Sequence, residues 1–194
     1  MKPTTRDYQD VREEIRDADL LLFRASSWAG RRLLTTAGRS AYSHAGMAAW
    51  WKGRLMCLET LQFRGGRAVL LSNVVSRWPG IVDVYRVEPH ASEFDPGAAV
   101  QAMIGITGRP YGWASLLQTA FVHLPVIRMF RRPSLDDQSG NGLPYCSQAV
   151  SRAYREGGLD PVPNLADRFT EPGDLGRSLC FRYRFTLQDN PRPN

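Results

Sequence analysis

The stretch CSQAVSRAYRE, residues 146–156, is followed by Gly157-Gly158 and predicts a helix whose first residue is Cys146. Pro144 biases the residue before it towards extended geometry and so discourages an earlier helix start. The unpaired N–H groups and the positive dipole end of a helix stabilise an anion, and a thiol is a good nucleophile only as the thiolate. Cys146 is therefore the candidate nucleophile.

The other two cysteines, Cys57 and Cys180, lie inside apolar, strand-like runs. Free cysteine is among the most buried residue types, so an unreactive core thiol is the ordinary interpretation for both. A buried structural thiol is also the alternative for Cys146. Three cysteines, an odd number, argue against a disulfide framework.

A β-hairpin is predicted by two apolar runs, HAGMAAWW (44–51) and RLMCLET (54–60). The link between them, Lys52-Gly53, is typical of a two-residue hairpin loop, which pairs Trp51 with Arg54. The register matters, because a slip of one residue would turn every side chain of one strand to the other face.

This register places a carboxylate beside a histidine. Counted back from the loop, Gly46 lies opposite Glu59. His44 shares the face of Gly46, since side chains alternate with period two, and Glu59 then lies diagonally across from His44. A cysteine nucleophile needs a base that a third group orients, so His44 and Glu59 are the candidates for those roles. The alternative for Glu59 is a solvent-facing strand carboxylate.

The remaining histidines fit a catalytic role less well. His90 follows Glu88-Pro89 in a loop-like stretch and is interpreted as a surface residue. His123 lies in an apolar run, where a core or interface histidine is the ordinary interpretation. Judged on geometry first, His44 is the preferred base.

The order of these motifs resembles the circularly permuted branch of the NlpC-type cysteine peptidase superfamily. That branch includes YiiX-like and YaeF-like bacterial proteins and the relatives of lecithin retinol acyltransferase, and in it the histidine strand precedes the cysteine helix. The resemblance covers about residues 17 to 187. The motifs that carry it are, in chain order, Asp19-Leu20-Leu21-Leu22-Phe23, Tyr42-Ser43-His44-Ala45-Gly46, Glu59, Gly108-Arg109-Pro110-Tyr111-Gly112-Trp113 and Tyr145-Cys146-Ser147.

The resemblance implies a papain-like α+β fold, in which an antiparallel sheet or barrel packs against the helix that begins at Cys146. It implies Cys146 as nucleophile, His44 as base and Glu59 as orienting acid. It also implies that Tyr111 shapes the oxyanion or substrate site. Two departures stand out: roughly thirty residues separate Tyr111 from Cys146, and Gly112 stands where an acidic residue is common.

Composition favours one domain over residues 1–194, with residues 188–194 as a disordered tail. A chain of 194 residues with 43% hydrophobic content is long enough for one sizeable core. The net charge of +6 favours anionic partners, but the 23 arginines are scattered and no motif of a specific nucleic-acid reader is present. No zinc-ligand spacing and no phosphate loop is found, so neither a metal nor a cofactor is expected.

Residues 110–127 contain no Lys, Arg, Asp or Glu, which raises the question of a membrane. Polar residues interrupt this segment and it is short for a span, so no crossing is expected. The alternatives are an apolar helix packed beside the site and a helix in a bilayer interface, with peripheral membrane or envelope contact. The N-terminus has no apolar core of a signal peptide. We expect a cytoplasmic, virion-associated or envelope-associated protein.

Local patterns predict the remaining elements. The polar loop over residues 134–142 is a candidate lid ahead of Cys146. The predicted helices cover residues 6–17, 26–34 and 95–106, and the predicted strands cover residues 20–23, 68–71, 81–87 and 180–187.

Taken together, these features predict a cofactor-independent thiol hydrolase that cleaves an amide bond. The favoured substrate is a cell-wall-type peptide. One alternative is an acyl-lipid hydrolase or acyltransferase. Another is a non-catalytic binding module that keeps the fold. The presence of all three residues Cys146, His44 and Glu59 favours an enzyme, because a binding module has no need of the full set.

Overall fold

The computed structural model of the protein describes residues 4–25, 40–61, 64–78, 80–88, 93–109, 145–163 and 165–188. In this part of the chain one sheet has the strand order β1-β7-β6-β2-β3-β4-β5, and every neighbouring pair is antiparallel except β1 with β7. The strands are β1 (Thr5–Asp7), β2 (Leu20–Ala25), β3 (Tyr42–Trp51), β4 (Arg54–Leu61), β5 (Gly65–Leu70), β6 (Gly80–Val87) and β7 (Phe181–Gln188).

Helices pack against this sheet, so the predicted α+β class is confirmed. The described α-helices are α1 (Tyr8–Val11), α2 (Leu71–Arg77), α3 (Pro96–Ile104), α4 (Cys146–Glu156) and α5 (Pro172–Arg177), with 3-10 turns at Arg12–Glu14 and Asp167–Phe169. The helix predicted from residue 146 to residue 156 is confirmed at both ends. α3 starts as predicted too, because the Asp95 side chain accepts the N–H groups of Gly97 and Ala98.

The hairpin has the predicted register. Trp51 pairs with Arg54, and Gly46 pairs with Glu59. Both residues of the Lys52-Gly53 loop have positive φ, 50° and 74°. A two-residue loop of this kind twists with the strands that flank it and therefore determines which residues face each other.

The continuous apolar run at residues 20–23 is explained by burial on both faces of the sheet. Leu20 and Leu22 lie in the core between the sheet and helices α3 and α4. Leu21 and Phe23 lie in the core on the opposite face, together with residues of α2. All four side chains are fully buried, as expected of a central strand that is covered on both sides.

Side-chain hydroxyls hold α4 in place along its length. Near its C-terminus Tyr154 donates to the carbonyl of Ala18, just before β2, at 2.7 Å. Near its N-terminus Ser147 donates to the carbonyl of Thr170 at 2.6 Å. These bonds link the helix to two distant parts of the chain, so the position of its first residue, Cys146, is determined by tertiary contacts.

The N-terminal segment differs from the single helix predicted over residues 6–17. Thr5–Asp7 instead forms β1, parallel to the end of β7, and only Tyr8–Val11 is α-helical before a 3-10 turn. Asp7 caps that short helix by accepting the N–H of Gln9. The open edge of β7 offers backbone partners that local helix propensity does not outweigh.

The strand predicted over residues 68–71 is wrong at its C-terminal end. β5 stops at Leu70, and Leu71 is the first residue of α2. Leu71 and Val75 are one helical turn apart and both are buried, so a helical face covers the core there. β2, β6 and β7 confirm their predicted strands within one or two residues, and α3 ends at Ile104.

Several predicted features fall outside the described residues. They are the helix over 26–34, His90, the segment 110–127 with Tyr111 and His123, the loop over 134–142 and residues 189–194 of the predicted tail. Gln188, the first residue of that predicted tail, is instead the last residue of β7. Among the helices that the structure does describe, none has both the length and the apolar character of a membrane span.

A test of the fold concerns Gly66 in β5. An added Cβ would lie 2.2 Å from the carbonyl oxygen of Ile106. We expect Gly66→Ala to lower the free energy of unfolding by about 1–3 kcal/mol, measured by urea unfolding. Gly105→Ala is the matched control. A Cβ added at Gly105 would have its nearest neighbouring atom at 3.4 Å, and the φ of Gly105 is helical. Equal stability of the two variants would contradict this packing.

Candidate active site

The candidate site lies where β3 and β4 part. Their pairing ends at Gly46 and Glu59, although β3 begins four residues earlier and β4 runs two residues further. The backbone N–H of Ala45, one residue beyond the last pair, lies near the Cys146 sulfur and helps to lower the pKa of the thiol. The first turn of α4 therefore occupies the opening between the two strands.

The structure brings together three of the residues predicted for the site. The Cys146 thiol lies beside the His44 ring, near enough for each group to shift the pKa of the other. His44 Nε2–H donates to Glu59 Oε2 at 2.7 Å, which leaves Nδ1 for the thiol. The exposed fractions of Cys146, His44 and Glu59 are 9%, 6% and 3%, so the series is almost closed to water. The catalytic roles of these residues stay predictions.

Two aromatic side chains hold the imidazole. The His44 ring lies 4.9 Å from the Phe23 ring and 6.2 Å from the Trp78 ring, the second nearly parallel at 30°. Trp78 is fixed in turn, because its Nε1–H donates to the carbonyl of Arg24. Sequence analysis missed Trp78, which follows α2 and is brought to His44 only by the folded chain.

Arg67 is the second residue that sequence analysis missed. It lies directly opposite Glu59 in the β4–β5 pairing. Its Nε–H and Nη2–H both donate to Glu59 Oε1, at 2.9 and 2.6 Å. The strand predicted over residues 68–71 starts one residue too late to include Arg67. If the predicted strand had been extended back to Gly65, it would have included Arg67 and placed it opposite Glu59.

The thiol of Cys146 is acidified by its surroundings. Burial alone would raise the pKa of Cys146, but the hydrogen bond from His44 and its positive charge act the other way. The backbone N–H groups of Ala45 and Ser147 add two further donors to the sulfur. The balance lowers the pKa of Cys146 below its ordinary value, as a helix start and an imidazolium are expected to do.

The pKa of the His44 imidazole and the pKa of the Glu59 carboxylate are shifted in opposite directions. Burial alone would lower the pKa of His44, but hydrogen bonds to Cys146 and Glu59 and their negative charges raise it to about 9. Burial alone would raise the pKa of Glu59, but His44 and then Arg67 lower it. These shifts favour a thiolate, an imidazolium and a carboxylate side by side in the site.

The other cysteines lie in different settings. Burial, with the negative charge of Glu59, raises the pKa of Cys57 well above its ordinary value. Cys180 is half-buried, and its Sγ lies 3.5 Å from the carbonyl oxygen of Asp160. Neither thiol has the helix start and imidazole that surround Cys146.

Tyr111, predicted to shape the oxyanion or substrate site, lies outside the described residues. The described chain before it reaches Arg109, whose carbonyl accepts the N–H of Gly66 at 2.8 Å. Gly66 precedes Arg67. Arg109, the last described residue before Tyr111, therefore lies close to the residue that binds Glu59. The role of Tyr111 stays a prediction.

No family profile and no curated protein matches this chain. Among solved structures, the chain is similar to the metalloprotein YiiX of Escherichia coli O157:H7, with a TM-score of 0.52 and 16% identity. The likeness covers 88% of this chain and 96% of that one. At this identity it establishes the fold, and the chain has the YiiX-like, papain-like α+β fold.

The description of that neighbour as a metalloprotein prompts a test of the residues here. Within the described ranges no group of three or more His, Cys, Asp or Glu side chains is arranged to hold a metal ion. His44 Nε2 is already bonded to Glu59, and the two oxygens of Glu59 are bonded to His44 and Arg67. The described residues do not fit a metal at this position.

Proposed function

We propose that this protein is a cysteine hydrolase of the permuted NlpC-type superfamily and that it cleaves an amide bond. The observation that carries the proposal is the buried series in which the Cys146 thiol, whose pKa is lowered, lies beside His44 and His44 donates to Glu59. A nucleophile, a base and a group that orients the base are the parts that thiol catalysis requires. The choice of a cell-wall-type peptide as substrate follows from the family resemblance.

In the first half of the reaction the Cys146 thiolate attacks the carbonyl carbon of the scissile amide. The oxyanion accepts the N–H of Cys146, because the first N–H groups of a helix have no intrahelical partner. Tyr111 is proposed as a further donor. The His44 imidazolium then gives its proton to the leaving amine, the C–N bond breaks, and a thioester remains on Cys146.

In the second half water releases the acyl group. Neutral His44 accepts a proton from water as the water oxygen attacks the thioester carbonyl. Collapse of the second tetrahedral intermediate breaks the C–S bond and yields the carboxylic acid product. The thiolate and the imidazolium are restored together, and Glu59 holds Nε2–H throughout.

The proposal is tested by trapping the acyl-enzyme. The purified protein is mixed with cell-wall peptide fragments or with acylated lipids, quenched in acid, and the mass added to Cys146 is measured. A peptidyl adduct supports the amidase. A fatty acyl adduct in its place would support the acyl-lipid alternative. Binding of a substrate with neither adduct nor turnover would mean that the protein is a binding module.

Glu59→Gln is expected to lower turnover on the order of 10- to 100-fold while the fold is kept. The amide can still accept Nε2–H, but without its charge it stabilises the imidazolium less. Because Glu59 raises the pKa of His44, its loss should also move the alkaline fall of turnover to lower pH. Glu156→Gln, at an exposed position at the end of α4, is the control. Unchanged kinetics in Glu59→Gln would assign the orienting role elsewhere.

A further inference from the structure

We infer that Arg67 is a positioning residue, which keeps the Glu59 carboxylate ionised and aimed at His44 while Cys146 carries an acyl group. The inference rests on the proposed function and deepens it. It assigns a role to a residue that lies beyond the Cys146, His44 and Glu59 series and belongs to a different strand.

The contact geometry is the first support. Arg67 directs two N–H donors to one oxygen of Glu59, Oε1, and leaves Oε2 to His44. Paired donors on one oxygen restrict rotation of the carboxylate, as charge-assisted contacts of arginine do. Arg67 and Glu59 are direct cross-strand partners, so the backbone of the sheet sets their separation.

Burial is the second support. The Glu59 side chain is 2% exposed, and a buried carboxylate is costly unless a cation compensates it. In the free enzyme the His44 imidazolium and Arg67 both compensate Glu59. Once Cys146 is acylated and the amine has taken the proton, His44 is neutral. Arg67 is then the only cation bonded to Glu59 among the described residues.

The consequence concerns the proton that His44 must give up to act as a base towards water. His44 and Glu59 share a short hydrogen bond, so they titrate as a pair. The other titratable groups that face the pair in the described structure are Cys146 from α4 and Cys57 from β4. In the acyl-enzyme Cys146 is a neutral thioester, and Cys57, whose pKa is raised, is a neutral thiol. The fixed charge of Arg67 therefore determines whether the pair can release its proton near neutral pH.

The experiment uses protein whose Cys146 has been alkylated with iodoacetamide, which makes the sulfur neutral as in the acyl-enzyme. The His44 ring is titrated by NMR in the wild type and in Arg67→Met, Arg67→Lys and Arg64→Met. In Arg67→Met the pair is expected to take up its proton on the order of one pH unit higher. Arg67→Lys is expected to stay closer to the wild type, because it keeps the charge.

Arg64→Met is the matched control. It removes an exposed arginine from the same segment, and the hydrogen bonds described for the Glu59 carboxylate come from His44 and Arg67. An unchanged His44 titration in folded Arg67→Met would overturn the inference. So would an Arg67→Lys titration equal to that of Arg67→Met, since charge would then not be the cause. Circular dichroism and urea unfolding establish that each variant is folded.

A kinetic measurement separates this inference from the proposed function. With p-nitrophenyl acetate, the burst of nitrophenolate reports acylation and the steady rate reports deacylation. We expect Arg67→Met to lower the steady rate at pH 7 about tenfold more than the burst rate. Release of nitrophenolate by the wild type no faster than by Cys146→Ala would contradict the proposed function itself. Equal slowing of both phases would contradict only the role given to Arg67.

Discussion

Cys146→Ala is expected to abolish turnover of any substrate that acylates the wild type, by at least about 10⁴-fold, because the variant has no atom that can form the thioester. The effect should be on the chemical step, with substrate binding kept. Alanine at this position fits the space, and the donors Ala45 N–H and Ser147 N–H are backbone groups that remain in place. Turnover and substrate affinity are measured separately, the second by calorimetry.

Cys180→Ala is the control for this change, since Cys180 lies outside the site and is half-buried. Its turnover should equal that of the wild type. Hydrolysis by Cys146→Ala at a rate near that of the wild type would show that another residue carries the chemistry.

His44→Ala is expected to slow alkylation of Cys146 at pH 6 on the order of 10- to 100-fold. In the wild type the pKa of Cys146 is lowered and that of His44 is raised to about 9, and both shifts favour a thiolate beside an imidazolium. Without the imidazolium, burial acts on the thiol unopposed by that charge and its pKa rises. A thiol with an ordinary pKa of about 8.5 is only about 0.3% thiolate at pH 6.

The measurement is the rate of iodoacetamide modification at each cysteine, followed by mass spectrometry from pH 5 to 8. Cys146 should react first in the wild type, and Cys57 and Cys180 should react at the same rates in both proteins. Burial and the charge of Glu59 raise the pKa of Cys57, which makes it a slow internal reference. Equal or faster modification of Cys57 in the wild type would mean that the nucleophile is wrongly assigned.

Two features of the backbone converge on one sulfur atom. The helix start supplies the N–H of Ser147, and the end of the β3–β4 pairing supplies the N–H of Ala45. Neither donor depends on a side chain, so substitutions around the site leave them in place. The thiol is thus stabilised as an anion by the architecture as well as by His44.

The hairpin and the cysteine helix could be predicted because short-range chemistry determines them. The loop Lys52-Gly53 sets the register that places Glu59 across from His44. The Gly157-Gly158 pair follows the end of α4, as predicted. In both cases the deciding residues are adjacent in the chain to the element they define, so no tertiary information was needed.

The residues missed by sequence analysis share the opposite property. Arg67 reaches Glu59 only because the pairing of β5 with β4 includes the residue just before the predicted strand. Trp78, which follows the last residue of α2, contacts His44 only in the folded chain. The helix predicted over residues 6–17 failed for a related reason, since the edge of β7 lies almost the whole chain away from Thr5–Asp7. A local pattern carries no information on such partners.

By itself, the sequence determined which face of the hairpin carries His44 and Glu59 and that a helix begins at Cys146, because loop geometry and strand alternation act over a few residues. Only the tertiary structure decided that the helix start enters the opening between β3 and β4, and that Arg67 compensates the buried Glu59. These contacts join residues that are far apart in the chain. Their free energy comes from burial and charge pairing across the finished sheet, which no segment can form alone.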